Sequence, residues 1–168
     1  FVETAWLVIF GELPNVEQRD HFAGLLSESA MIDEVMRKHF NAFPQTAPPM
    51  AILSAMINTL SAHDAGATDI RDDADMERAA AVLISKVRTI AAAAYKASIG
   101  EPLVYPRYDL KYAENFLHMM FSVPYRQYEA TPEVAAALNL FLMLHADHEQ
   151  NCSTSTVRMV GSSKANLF

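Results

Sequence analysis

The sequence predicts an all-α fold, and three features carry that reading. Apolar residues recur at spacings of three and four through most of the 168 residues, the repeat expected of one helix face. No stretch of useful length alternates apolar and polar residues with the period of two that a half-buried strand requires. Only five glycines interrupt the chain, so long segments can stay helical without the backbone cost glycine brings. About seven or eight helices follow from this pattern, with no internal repeat.

In chain order, Ala5, Val8 and Ile9 place a first helix over residues 1–11, and Gly11 can close it by turning left-handed. Leu13-Pro14 reads as a turn. Asn15 can cap a second helix, with Glu17 and Gln18 in a first turn that favours such groups. That helix carries Phe22, Leu25 and Leu26 and breaks near 27–29. A further piece sets Met31, Ile32, Val35, Met36 and Phe40 on one face. The prolines of 43–49 form a linker, after which Leu53, Met56, Ile57 and Leu60 make 50–62 an amphipathic helix.

Residues 64–75 hold Asp64, Asp69, Asp72, Asp73 and Asp75 around a single Gly66. They lack the alternating ligands and sixth-position glycine of a calcium loop, so they read as a solvated loop that caps the next helix. The longest helix is expected over 76–99, stopped by Gly100. Its alanines at 91–94 allow a close neighbour, and Lys86, Arg88 and Lys96 are expected to reach solvent. Residues 101–109 are an extended connection. A helix over 115–121 uses Met119 and Met120 as gap-filling core and ends by Pro124. Thr131-Pro132-Glu133 joins a capping threonine, a proline at the first helical position and an acid in the first turn. It launches a helix over 134–144, and Ser153 or Thr154 is expected to cap a last helix carrying Val157, Val160 and Gly161.

Composition narrows the function. Apolar residues make up 51 % and charged residues 20 % of the chain, an ordinary globular balance. A net charge of −7 and the lack of a basic stripe argue against a nucleic-acid or anionic-membrane partner. No apolar run reaches the roughly 18 residues of a membrane span. The single cysteine, Cys152, excludes an internal disulfide and suits a reducing compartment, and no secretory signal pattern opens the chain. A soluble cytoplasmic protein is expected. The apolar residues at both ends, Phe1 and Ala165-Asn166-Leu167-Phe168, lead us to expect a piece of a longer protein.

The chemistry is expected at 138–158. Leu138, Leu140, Phe141, Leu142, Met143 and Leu144 make a helix that is apolar nearly all round, a pattern that predicts burial. It runs into His145, Asp147, His148, Glu149, Gln150 and Asn151, polar groups that need partners or a ligand when buried. His148 continues the apolar face at a spacing of four from Leu144. The next helix would start near Ser153, where unpaired N–H groups and the positive dipole end favour an anion, with Arg158 reinforcing the field. The plainer alternative is a helix–turn–helix junction in which His145 pairs with Glu149 or a backbone carbonyl and Asp147 caps. Zinc is disfavoured because His145, His148 and Glu149 match neither known hydrolase pattern. Cys152 has no histidine partner at a recognisable spacing for nucleophilic work.

These residues also carry a resemblance. His-Ala-Asp-His-Glu-Gln-Asn at 145–151, Cys-Ser-Thr-Ser-Thr-Val-Arg at 152–158 and Gly161-Ser162-Ser163 resemble citrate synthase of the bacterial kind. So do Phe1 to Pro14, with Gly-Glu-Leu-Pro at 11–14, Tyr105-Pro106, and Asn115 through Phe121, in that order and over nearly the whole chain. The resemblance implies the helical large domain, incomplete at both ends, over residues 1–168, with the small lid domain absent. It implies that His148 hydrogen-bonds oxaloacetate and polarises its carbonyl, and that Asn151 lies at the substrate. His145, Asp147 and Glu149 would orient His148, and the helix over 132–147 would pair subunits into a homo-oligomer. The substrates would be oxaloacetate and acetyl-CoA, with no cofactor and no metal.

The family's enolising histidine lies in a Gly-Pro-x-His-Gly-Gly motif, its second histidine in a Gly-His-Arg motif, and its catalytic aspartate further on. Neither motif occurs in residues 1–168, so no catalytic residue is assigned here and this stretch alone is expected to be inactive. The chain has Glu28-Ser29-Ala30 and Pro48 where members often carry histidines, so no effector site is carried over. Two other readings stand beside this one. A 2-methylcitrate synthase would use propionyl-CoA on the same scaffold, and a non-catalytic helical dimerisation module would need no downstream motif.

Overall fold

One long helix organises the molecule. The computed structural model describes residues 1–63, 72–147 and 149–163. Among them are eight α-helices, a 3₁₀ turn at Phe40–Ala42 and no strand beyond an isolated Val123–Arg126 bridge, so the all-α expectation holds. The helices are α1 (Val2–Phe10), α2 (Val16–Glu28), α3 (Glu34–His39), α4 (Pro49–His63), α5 (Asp73–Ser98), α6 (Tyr112–Phe121), α7 (Pro132–Leu144) and α8 (Cys152–Ser162). The acidic stretch at 64–71, and with it the calcium-loop question, lies outside the described residues.

Local signals set the boundaries. Gly11 takes φ 84°, a left-handed turn that closes α1 at no steric cost. Asn15 and Gln18 form a reciprocal capping box on α2, each side chain accepting the other's backbone N–H at 2.9 Å. Asp33 caps α3, and Thr131 with Pro132 starts α7. Asp72 caps α5 by accepting the Asp75 N–H at 2.9 Å. That cap starts α5 three residues before the expected position, because an aspartate stabilises the helix start it caps.

Two apolar clusters lie along α5. Ile32, Met36, Phe40, Ile52, Met56 and Leu60 pack on Ile90, Ala93 and Ala94; Ala5, Trp6, Phe22 and Leu26 pack on Ala81. The alanines at 92–94 are buried, the close approach that the run of small side chains predicted. Met31 and Val35 are exposed rather than facing the core. Helix α3 starts only at Glu34, so Met31 precedes it, and the buried register is Ile32, Met36, Phe40. On α4, Ile52, Met56 and Leu60 are buried while Leu53 and Ile57 flank the cluster.

Two cations depart from expectation. Lys96 and Arg88, expected at the surface, are 1 % and 4 % exposed. The Lys96 ammonium donates to the Ser122 carbonyl at 2.6 Å and pairs with Glu101. A buried charge survives only with such partners. The Arg88 guanidinium donates to the Tyr112 carbonyl and the Ser85 hydroxyl and lies 4.3 Å over the Tyr112 ring. Burial holds the Arg88 pKa below its ordinary value and pushes the Tyr112 phenol up to about 12.

A third departure concerns α7. Its apolar sequence predicts burial, yet only Ala135 is buried. Leu140, Phe141, Met143 and Leu144 face outward. Helix α7 packs mainly on α6, and no other described element of this chain lies across its outer face in comparable extent. Helix α8 has no buried residue.

Candidate functional site at the junction of α7 and α8

Helix α7 ends at Leu144, and α8 begins at Cys152. His145 sits at the C-cap of α7. Its Nδ1 lies 2.7 Å from the Phe141 carbonyl, an acceptor only, so Nδ1 carries the proton in this pairing. The imidazole also lies against the Phe141 ring, tilted by 30° with the ring centroids 4.1 Å apart. The backbone-carbonyl partner foreseen for His145 in the plainer alternative is therefore present.

Asp147 accepts the Glu149 N–H at 3.2 Å, a local side-chain turn. Glu149 adopts φ 65°, the one non-glycine left-handed residue described, a conformation that costs energy and is held by its surroundings. Its carbonyl accepts the Asn151 N–H at 3.0 Å and the Thr154 hydroxyl at 3.3 Å. His148, the residue singled out from sequence, lies outside the described residues.

Asn151, not Ser153 or Thr154, caps α8. Its side-chain oxygen accepts the Thr154 N–H at 2.9 Å and the Thr154 hydroxyl at 3.1 Å. Asparagine outranks threonine as a cap and sits at the turn where the chain enters the helix, a competition that spacing alone left open. The N–H groups of Cys152 and Ser153, in the first turn of α8, have no intrahelical acceptor by helix geometry. Such a helix start with adjacent polar side chains can receive a carboxylate. His145, Asp147, Glu149 and Asn151 are all exposed, so the expectation of a buried polar cluster is not met within this chain. A burial forecast from α7 could not hold once α7 itself was left uncovered.

A cleft of about 870 Å³ lies elsewhere, between α1, α2, α6 and α7, with Arg88, Tyr108 and Asn139 in its walls. None of the described residues among 145–151 lines it. The chemistry-bearing string and the large cleft are separate features, and volume does not decide between them. The junction is the place where imidazole, carboxylate and amide side chains meet the start of a helix.

The profile of the citrate synthase C-terminal domain matches residues 1–168. The chain belongs to the citrate synthase family. Citrate synthase 1 of Mycobacterium tuberculosis is 48 % identical over 168 residues, which is 100 % of this chain and 39 % of that protein. The chain thus spans about 39 % of the length of these curated relatives. Among solved structures, citrate synthase from Pyrobaculum aerophilum superposes with a TM-score of 0.82 at 27 % identity, covering 99 % of this chain and 42 % of that one. The Thermoplasma acidophilum enzyme, solved as a ternary complex with carboxymethyl coenzyme A and oxaloacetate, superposes with a TM-score of 0.86 at 22 % identity, covering 99 % of this chain and 42 % of that one. The Thermotoga maritima enzyme gives 0.78 at 23 %, covering 98 % and 40 %. At these last two identities the likeness speaks to fold, and the fold agrees.

Proposed function

We propose that this chain serves an enzyme that condenses acetyl-CoA with oxaloacetate to citrate and CoA, and that the α7–α8 junction forms part of its oxaloacetate site. The observation that carries this reading is the string His-Ala-Asp-His-Glu-Gln-Asn at 145–151, whose described members His145, Asp147, Glu149 and Asn151 lie between the end of α7 and the start of α8. His148 donates a hydrogen bond to the keto oxygen and draws charge from the carbonyl carbon, where the acetyl-CoA carbanion equivalent attacks. The first N–H groups of α8 favour a substrate carboxylate. Asn151 spends its side-chain oxygen on capping and offers its amide N–H to the ligand. Asp147 and Glu149 shape the turn on either side of position 148, and His145 anchors its entry to α7.

The acid–base groups for enolisation come from residues beyond this stretch, so residues 1–168 alone are inactive in this reading. The outward face of α7, with Leu140, Phe141 and Leu144, is covered by a second copy of the chain in a cytoplasmic homo-oligomer. Contiguous apolar surface of that kind marks an interaction site.

The test is steady-state kinetics on the natural-length protein carrying His148→Ala. Loss of a preorganised donor at a developing oxyanion lowers turnover by about 100-fold or more, and KM for oxaloacetate rises with it. Unchanged kinetics would remove His148 from the site.

A further inference from the structure

Helix α6 ends in a buried polar knot that the proposed reaction does not use. Ser122 is 2 % and His118 4 % exposed. The Ser122 hydroxyl oxygen lies 2.9 Å from His118 Nδ1 and accepts the Tyr128 N–H at 2.8 Å. The Ser122 carbonyl accepts from Lys96 Nζ on α5. The imidazole also meets backbone groups of Tyr105 and Tyr128. Through the Ser122 hydroxyl, the ring ties the end of α6 to the connection after it. The following connection, 123–131, is otherwise pinned by the two Val123–Arg126 backbone bonds and by the Tyr128 ring 5.4 Å from Phe121, and α7 begins four residues after Tyr128.

Hydrogen-bond arithmetic makes this knot sensitive to a proton. The Ser122 oxygen already accepts from Tyr128, so its own hydrogen is best placed on Nδ1 of a neutral ring. A protonated ring has no lone pair at Nδ1. The ring N–H and the Tyr128 N–H then take the oxygen's two lone pairs, and the hydroxyl hydrogen must turn away inside a buried site and lose its acceptor, a cost that opening the knot relieves. The charged groups facing the ring are Arg107 and Asp109 on the preceding connection, with Lys96 and Glu101 bound to the same end of α6.

We propose that the His118–Ser122–Tyr128 knot is an acid-sensitive latch: the neutral imidazole holds the 123–131 connection, and so the start of α7, on α6, and protonation lets that connection go. Desolvation first, and Arg107 second, hold the His118 pKa below 6.5, outweighing the backbone groups and Asp109 that raise it. The sign follows by linkage. The unlatched ring binds the proton more tightly than the latched one, so latching is fully favoured above about pH 6.5 and weakens as pH falls through the lower, latched value. This inference does not depend on the reaction proposed above.

Amide hydrogen exchange of the natural-length protein tests it, read at Tyr128 and corrected for intrinsic exchange at each pH. From about pH 7.5 to about pH 5, Tyr128 protection falls about tenfold for each unit by which the two pKa values differ, while Ile90 and Ala93 in the α5 core keep theirs. In His118→Asn the pH dependence disappears. If that variant does not fold, Ser122→Ala carries the same test, because without the hydroxyl the Tyr128 amide is weakly protected at every pH. Constant Tyr128 protection in the wild type overturns the latch, and so does a pH dependence that survives in either variant.

Discussion

Helices α5 and α7 invert what their compositions suggest. Helix α7 is the oilier, with Leu138, Leu140, Phe141, Leu142, Met143 and Leu144 nearly consecutive, yet one of its residues is buried. Helix α5 carries Lys86, Arg88 and Lys96, yet it is the axis of both cores, and two of those three cations are inside. Apolar content states that a surface must be covered; it does not state by what. Helix α5 finds α2, α4 and α6 within this chain, and the Tyr112 and Ser122 carbonyls at the two ends of α6 take in its buried cations. Helix α7 finds mainly α6 and keeps an outward face.

Breaking the α5 side should cost the most. Lys96→Ala leaves the buried Ser122 carbonyl without its donor and Glu101 without its partner, and should destabilise the fold by about 3 kcal/mol. Chemical denaturation measures it, and a change within about 0.5 kcal/mol would show that Lys96 is a surface residue after all. On the α7 side, Leu140→Glu should leave folding stability within about 0.5 kcal/mol because the side chain is half exposed. It should instead weaken self-association by about tenfold or more, read by sedimentation, since a charge in an apolar contact must be desolvated. A variant that unfolds but still associates would reverse the contrast. The smallest effect belongs to the junction: Asn151→Ala removes the α8 cap for about 1 kcal/mol, visible as faster exchange in the first turn of α8. In the proposed reading it also raises KM for oxaloacetate.

What the sequence disclosed was local. Gly11, the Asn15–Gln18 capping box and Thr131-Pro132 each act within a few residues, and each sits where its chemistry predicts. Helical periodicity found the elements because the repeat is a property of the segment alone. The misplacements share the opposite cause. Lys96 is buried because Ser122, 26 residues on, offers a carbonyl. Arg88 is buried because Tyr112 brings a ring and a carbonyl 24 residues later. Neither partner can be read from the spacing around the cation. The apolar pattern of α7 predicted burial without saying whether the cover comes from its own chain, and the resemblance alone suggested a partner for one side. At the candidate site, the junction between two helices was foreseen. The cap was assigned two or three residues late, because Asn151, Ser153 and Thr154 are all competent caps and only the chain's path chooses among them.

The central claim is that the α7–α8 turn holds the keto acid. Hydrogen exchange of peptides covering 145–154 in the natural-length protein, with and without oxaloacetate, addresses it directly. With ligand at about 100 times its Kd, those amides should slow by up to about a hundredfold, more than the amides of α3 and α4. Exchange at 145–154 that ignores saturating oxaloacetate, while another segment becomes protected, would place the substrate elsewhere and contradict the account.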